Sequence, residues 1–266
     1  MAEEISSNAL ERGFAILEIV AASNNGLTNS DISRRLQIPK STASYLLRTL
    51  ENMSYLTRDV DSGKYKLGLR LLSLTRGLLL NLNVRDVAKP YLQKFVEETN
   101  MSAHLAVLDS GRAVYVEKIE ALSFVKMDIW VGHRVPIHTT AVGKALVAHS
   151  PEKEVQQILE QCGMEKRTVQ SIATNTKYLR ELEKVRNFGF AIDNEENSDG
   201  ARCVAAPVFN SNGKTIAAFG TSGLASLLTE TTLPEIADKI RQAAREISSQ
   251  MGFQAIAKQA ASNGSY

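Results

Sequence analysis

Thr28-Asn29-Ser30-Asp31-Ile32-Ser33-Arg34-Arg35-Leu36-Gln37-Ile38-Pro39-Lys40-Ser41-Thr42-Ala43-Ser44-Tyr45-Leu46-Leu47-Arg48-Thr49-Leu50 is the stretch on which the reading of this chain turns. Thr28 or Ser30 can cap a short helix that points Ile32 and Leu36 inward. Pro39 ends that turn and stands at the start of a further helix, about Lys40 to Glu51, where its missing N–H costs least. That helix has Ala43, Leu46, Leu47 and Leu50 to bury. Upstream, Leu10, Phe14, Leu17 and Ala21 recur at helical spacing, with Ile16 and Val20 widening the stripe, so a first helix is expected from Asn8, its cap, to Ala22. Asn24-Asn25-Gly26 supplies the stop.

Packing alone admits a plain three-helix bundle; charge argues for something else. From Ile32 to Leu50 the chain carries Arg34, Arg35, Lys40 and Arg48 and no Asp or Glu. A solvated face mixes signs, whereas a face that meets phosphates excludes carboxylates. Ser41, Thr42, Ser44 and Tyr45 add hydroxyls that reach phosphates or base edges. Tyr55 to Arg58 and Lys64 to Leu67 are β-prone runs flanking Asp59-Val60-Asp61-Ser62-Gly63, which reads as a hairpin with basic residues on one side. Any one of these basic residues is more often a solvated surface group. The ordered set, a helix followed by a helix-turn-helix and a basic hairpin, is a winged helix-turn-helix pattern.

Residues Leu69 to Leu82 are leucine-rich throughout, which suits a linker helix packed on another copy of the chain, with a boundary near Asn81 to Val84. Beyond it a helix to about Thr99 leads to strands at Ala103–Leu108 and Ala113–Ile119 around the Asp109-Ser110-Gly111 turn. Further β-prone runs lie at Phe124–Val131, Gly189–Ile192, Cys203–Phe209 and Thr215–Thr221, and Asn210-Ser211-Asn212-Gly213 marks another hairpin. Helices are expected at Ala141–His149, Glu152–Gln161, Lys177–Asn187 and Pro234–Met251. Consecutive hairpins make this an α+β domain with an antiparallel sheet flanked by helices. The expected division is 1–68, 69–83 and 84–253, with a disordered tail at 254–266.

The chain has 266 residues, enough for two domains, and a net charge of +2, so any affinity for nucleic acid must be local. It has no apolar run near the length of a membrane span, and Met1-Ala2-Glu3-Glu4 is unlike a signal peptide. Cys162 and Cys203 alone make no disulfide framework. These features point to a cytoplasmic protein.

Candidates for chemistry are scattered. His138-Thr139-Thr140-Ala141-Val142-Gly143-Lys144-Ala145 reads as a loop entering a helix, suited to an anion or simply capped. Asp193 to Gly200 is a polar acidic stretch, either a surface loop or a pocket wall that places Asp193 near Cys203. Cys203 as a nucleophile needs a base such as His104, His133 or His138, and a small buried thiol is the commoner role. A metal site from His133, His138 and a carboxylate is a weak alternative, since the spacing matches no helical ligand pair. No P-loop, Rossmann or GxSxG motif occurs. An enzyme using Cys203 or Asp193 is the alternative to a regulator, and neither cofactor nor metal is expected.

Across nearly its whole length the chain resembles the IclR family of bacterial transcription regulators. The resemblance rests on Leu10-Glu11-Arg12-Gly13 with Ile16-Leu17, on the helix-turn-helix residues above, and on Lys64-Tyr65-Lys66-Leu67-Gly68. It continues through Gly143-Lys144-Ala145, Gly189-Phe190-Ala191-Ile192-Asp193-Asn194-Glu195-Glu196 and Gly200 to Phe209. It implies a linker helix to a GAF-like effector domain, a homodimer or homotetramer on palindromic promoter DNA, and a small organic or aromatic acid as effector, repression being favoured over activation. Residues expected at DNA are Thr28, Ser30, Lys40, Ser41, Thr42, Ser44, Tyr45 and Arg48, with Arg58 and Lys64 from the wing. Carried over by position, backbone N–H groups around Thr140, Ala141 and Gly143 would hold the anion. Asp193, Cys203, Thr221 and Ser222 would supply polar contacts, and Leu105, Val107 and Ile129 an apolar wall.

Overall fold

The computed structural model of the protein describes residues 8–74, 83–122 and 127–254. The chain divides into two compact units, Met1–Asn81 and Leu82–Tyr266. Residues 75–82 of the expected linker helix, 124–126 of the expected run at Phe124–Val131, and 255–266 of the expected tail lie outside the described residues.

In the first unit α1 spans Ala9–Ala21, α2 Asn29–Leu36 and α3 Lys40–Asn52, followed by the antiparallel hairpin β1 (Leu56–Arg58) and β2 (Tyr65–Leu67). Residues 70–74 are helical (α4). Asn8 caps α1, accepting from the Leu10 amide at 3.0 Å. Thr28 caps α2 in a capping box with Asp31, and Gln37 closes it in the left-handed conformation. Ile16, Val20, Leu27, Ile32, Ala43, Leu47 and Leu56 form the core. One expectation is corrected here. Within the first stripe, Leu10 and Phe14 are exposed, at 66% and 59%, while Ile16 and Val20 are buried. The apolar stripe is wider than one core can cover, and the core takes the Ile16–Val20 side.

The second unit begins with α5 (Asn83–Thr99) and centres on a six-stranded sheet, all antiparallel, in the order β5-β4-β3-β8-β7-β6. The strands are β3 Ala103–Asp109, β4 Arg112–Ile119, β5 Arg134–Pro136, β6 Ala191–Asn194, β7 Ala201–Phe209 and β8 Thr215–Leu224. Ser110 and Gly111, at φ of 47° and 75°, make the tight β3–β4 turn. Helices α6 (Ala141–Val147), α7 (Glu152–Cys162) and α8 (Asn175–Phe188) connect β5 to β6, and α9 (Leu233–Gln250) ends the unit.

The sheet is buried on both faces. Against α5 and α9 it presents large residues, Leu105, Val204, Val208 and Phe219. Against α6 and α8 it presents Ala106, Ala113, Ala191, Ala205 and Ala218. This alanine floor lets α6 lie close to the sheet. Gly143 lets α6 pass close to the segment that leads into it, where a Cβ would stand 2.4 Å from the Cα of Ile137. The expected strand at Phe124–Val131 is corrected over its described part, since residues 127–131 form no strand. Single bonds tie the segment down instead: Lys118 Nζ donates to the Ile129 carbonyl at 2.7 Å, and just beyond it the Gly132 amide donates to Tyr115 O at 2.7 Å. The strand that follows, β5, has only three residues, too few to show an alternation in sequence.

Candidate functional site

Two places collect the chemistry. On the first unit, Ser41, Tyr45 and Arg48 share the solvent face of α3, with Lys40 at its start and Ser30 on α2 also exposed. Tyr45 is 70% exposed, an unusual position for a tyrosine with nothing to cover it. Thr42, Ser44 and Lys64 are half-buried, and Arg58 is exposed with its guanidinium 5.8 Å from the ring centroid of Tyr65. Asp59 accepts from the Ser62 amide and hydroxyl at 2.8 and 2.6 Å, which fixes the hairpin tip.

Thr28 is differently placed. Its hydroxyl donates to Asp31 at 2.7 Å and accepts from the Asp31 amide, so it is spent on the capping box. The bond from the Thr28 hydroxyl, joined by one from the Thr28 amide at 3.2 Å, holds the Asp31 carboxyl below its usual range. Asp31 in turn pairs with Arg34 at 2.6 Å, so one of the four cations counted in the sequence is offset from just outside the counted stretch. The residues expected at DNA leave out Thr49, Arg35 and Lys66, all exposed. Thr49 stands four residues from Tyr45, on the same side of α3, with its hydroxyl given to the Tyr45 carbonyl at 3.0 Å.

On the second unit a cavity of about 340 Å³ opens between the alanine-rich sheet face, the start of α6 and the loop after β6. Of the expected residues, Ile129, Thr140, Ala141, Asp193, Cys203 and Ser222 line it. Asp193, Cys203 and Ser222 are neighbours across β6, β7 and β8. Leu105, Val107 and Thr221 do not line it. Leu105 and Val107 pack into the core beneath α5 and α9, and Thr221 gives its hydroxyl to Ser102 O at 2.7 Å. Side chains alternate across a sheet, and the cavity face belongs to His104 and Tyr115 rather than to Leu105. The polar His104 within an apolar strand was the sequence signal for that face. Gly143 is also corrected in role: its amide donates to Thr140 Oγ1 at 3.2 Å and is thereby used. The amides of Ala141 and Val142 stand in the first turn of α6, where no carbonyl of that helix can reach them.

The cavity wall is polar and costly. Asp193 accepts from the amides of Glu196 and Asn197 at 2.8 and 3.3 Å, yet burial pushes its carboxyl up to about 6. The Cys203 thiol is pushed up by loss of water and by the neighbouring Asp193. His104 Nε2 meets Ser222 Oγ at 2.9 Å, and burial lowers its pKa to about 3, so the ring is neutral. Behind the wall Lys144, fully buried, bonds Glu196 at 2.6 Å and the Ile192 carbonyl at 2.8 Å. Among the described lining residues Arg167 brings the one guanidinium; its Nε donates to Asn197 O at 3.1 Å. His133 stacks on Trp130 at 4.0 Å, and His138 Nε2 meets Glu165 O at 3.0 Å. Among the described residues no three His, Cys, Asp or Glu side chains converge as a metal site, and no helix is long and apolar enough to cross a membrane.

Comparison with known proteins bears on both places. Residues 9–60 match the IclR helix-turn-helix domain, and residues 77–249 match the bacterial transcriptional regulator IclR C-terminal domain. The transcriptional repressor AllR of Escherichia coli is 31% identical over 94% of this chain and 92% of its own length. The structure of Thermotoga maritima IclR superposes with a TM-score of 0.79 at 31% identity, covering 93% of this chain and 100% of that one. An IclR homologue from Microbacterium hydrocarbonoxydans, complexed with 4-hydroxybenzoate, gives a TM-score of 0.78 at 25% identity over 92% of this chain and 99% of its own.

Proposed function

The chain belongs to the IclR family of bacterial transcriptional regulators, and on that premise we propose that it is a cytoplasmic repressor released from, or locked onto, its operator by a small organic or aromatic acid. The observation that carries the effector half is the cavity of about 340 Å³, where three strands and the start of α6 bring polar groups into a buried space. That volume lies at the small end of ligand sites. The acid group is met by the Ala141 and Val142 amides and by Arg167. Asp193, Cys203 and Ser222 take a hydroxyl or a second polar group. Ile129, Val135 and Tyr115 cover the apolar part.

The operator half rests on the exposed set Lys40, Ser41, Tyr45 and Arg48 on α3, with Ser30, Thr42, Ser44, Arg58 and Lys64 beside it. Side chains of α3 read base edges in the major groove, and the hairpin holds the backbone. A dimer, or a dimer of dimers, on a palindromic site follows from family membership, as two copies of one face require two-fold related half-sites. The effector can shift operator occupancy only by its differential affinity for the two arrangements, typically about 1–3 kcal/mol. The enzyme reading finds less support: a nucleophile needs a lowered pKa, whereas the Cys203 thiol is pushed up and His104 Nε2 is taken by Ser222.

The test is a titration of the purified protein into its own upstream intergenic DNA and into a scrambled fragment, at two salt concentrations. Tight, salt-sensitive preference for the upstream fragment, altered by 4-hydroxybenzoate or another small acid, is the expected result. Equal weak binding to both fragments, with and without a metabolite extract, would sink the reading. Cys203→Ser changes effector affinity at most; loss of a catalytic turnover in that variant would establish the enzyme instead.

A further inference from the structure

A second opening in the effector unit has no part in the function above. β6 pairs with β7 only as far as Ala205. Among the described residues no strand therefore pairs with 206–209, the last residues of β7, on that side, and a cleft of about 420 Å³ lies there between the end of α8 and α9. Its apolar surface includes Phe209 and Phe253, whose ring centroids are 5.0 Å apart, and Ala206 and Ala244. Three guanidinium groups, those of Arg186, Arg241 and Arg245, line it, and none of the described lining residues is Asp or Glu.

The three arginines are not equivalent. Arg241 is paired with Asp238 at 2.5 Å, so its charge is offset. Arg186 donates to the Ala148 carbonyl at 2.7 Å, which fixes the guanidinium without neutralising it. Arg245 has no side-chain hydrogen bond or ion pair among the described residues. Two uncompensated cations thus face an aromatic pair, in a protein whose net charge is only +2. A peptide adding as a strand does not fit. Pro207 lacks an N–H, and the Phe209 amide is given to Ser248 Oγ at 2.9 Å, so that edge lacks two of the donors a strand would need.

We propose that this cleft is a second ligand site, one that takes a small amphipathic organic anion. Arg186 and Arg245 meet its acid group, and Phe209 and Phe253 cover its ring or chain. Charge-assisted bonds to a carboxylate or sulfonate give affinity, and the rings exclude water from them.

The test titrates the full chain with 8-anilinonaphthalene-1-sulfonate, followed by fluorescence, with decanoate as competitor. Wild type is expected to bind saturably and to release the dye to decanoate. Replacing both Arg186 and Arg245 by Gln should weaken the dye about tenfold or more, since each lost charged contact is worth on the order of a tenfold change. Arg180→Gln, an exposed arginine elsewhere on α8, should leave it within about twofold of wild type. No saturable binding, equal binding by the double variant, or loss through Arg167→Gln would each overturn the proposal, the last by moving the dye into the effector cavity.

Discussion

The two units handle charge in opposite ways. The first keeps its cations outside: Lys40 and Arg48 are exposed, and the ion pair formed by Arg34 with Asp31 is a surface contact. The second hides charge: Lys144 is fully buried against Glu196, and Asp193 stands in the cavity wall with its carboxyl raised by burial. A surface meant for a polyanion works by leaving charge uncompensated and wet, at little cost to stability. A cavity meant for one small molecule must take polar groups out of water, and the fold bears that cost permanently. Stability and binding should therefore separate cleanly in the first unit and trade against each other in the second.

The largest expected effect tests the buried side. Lys144→Met leaves Glu196 buried without its partner and should destabilise the effector unit by about 3–5 kcal/mol in urea unfolding. Adding Glu196→Gln should recover most of that loss. If the single variant costs less than about 1 kcal/mol, the buried pair is not what holds the cavity wall, and the contrast between the units weakens. Next comes the exposed side. Arg48→Ala should weaken specific operator binding by about 1–3 kcal/mol and leave unfolding unchanged, while Arg34→Ala, already paired, should stay within a few-fold. Gel-shift titration of both variants decides whether exposure or mere charge count selects the contacts.

Asp193→Asn tests the trade inside the cavity. The Asp193 carboxyl moves from 3.8 in the unfolded chain to about 6 in the fold, so the folded state binds more protons between those values. Stability from this group is then highest at low pH and is lost as pH rises from about 4 to about 6. Removing the charge should raise stability at pH 7 by about 1–2 kcal/mol, below the roughly 3 kcal/mol the shift implies because the amide accepts backbone bonds less well. His104 works in the other direction. Its pKa falls from 6.5 to about 3, so its contribution is lost as pH drops below about 6.5. In His104→Gln the acid limb of the stability profile should therefore flatten, while the Asp193→Asn profile keeps it. A stability gain in Asp193→Asn accompanied by undiminished effector response would mean that the buried carboxylate serves no ligand.

How far each region could be read from sequence follows the same contrast. Helices α1–α3 and the hairpin are built from contacts a few residues apart, so periodicity, Asn8, Pro39 and the charge-free-of-acid stretch were all visible. The sheet and most of its helices were legible too, from Asn-Gly and Ser-Gly turns and apolar runs. The cavity was legible only in part. Asp193, Cys203 and Ser222 come together across three strands, and the choice between Leu105 and His104 depends on which sheet face meets α6. A bulge between β3 and β4 at Leu105 and Ala106 adds to that difficulty, because it breaks the simple alternation. Arg167 arrives from a loop between α7 and α8, with no pattern to announce it.

Thr28 carries the smallest and most discriminating expectation, since sequence offered it both as a cap and as a DNA contact. Its hydroxyl is committed to Asp31 from both sides, donating at 2.7 Å and accepting at 3.2 Å. Loss of such a cap costs about 1 kcal/mol, felt as faster amide exchange in α2. Thr28→Ala should show that cost and weaken operator binding only a few-fold, through a less ordered α2. Thr28→Ser keeps the oxygen and should restore both. If Thr28→Ala instead lost operator affinity as strongly as Arg48→Ala while exchange in α2 stayed slow, the hydroxyl would belong to the DNA and not to the helix. The first unit would then share the habit of the second, in which one group serves fold and ligand at once.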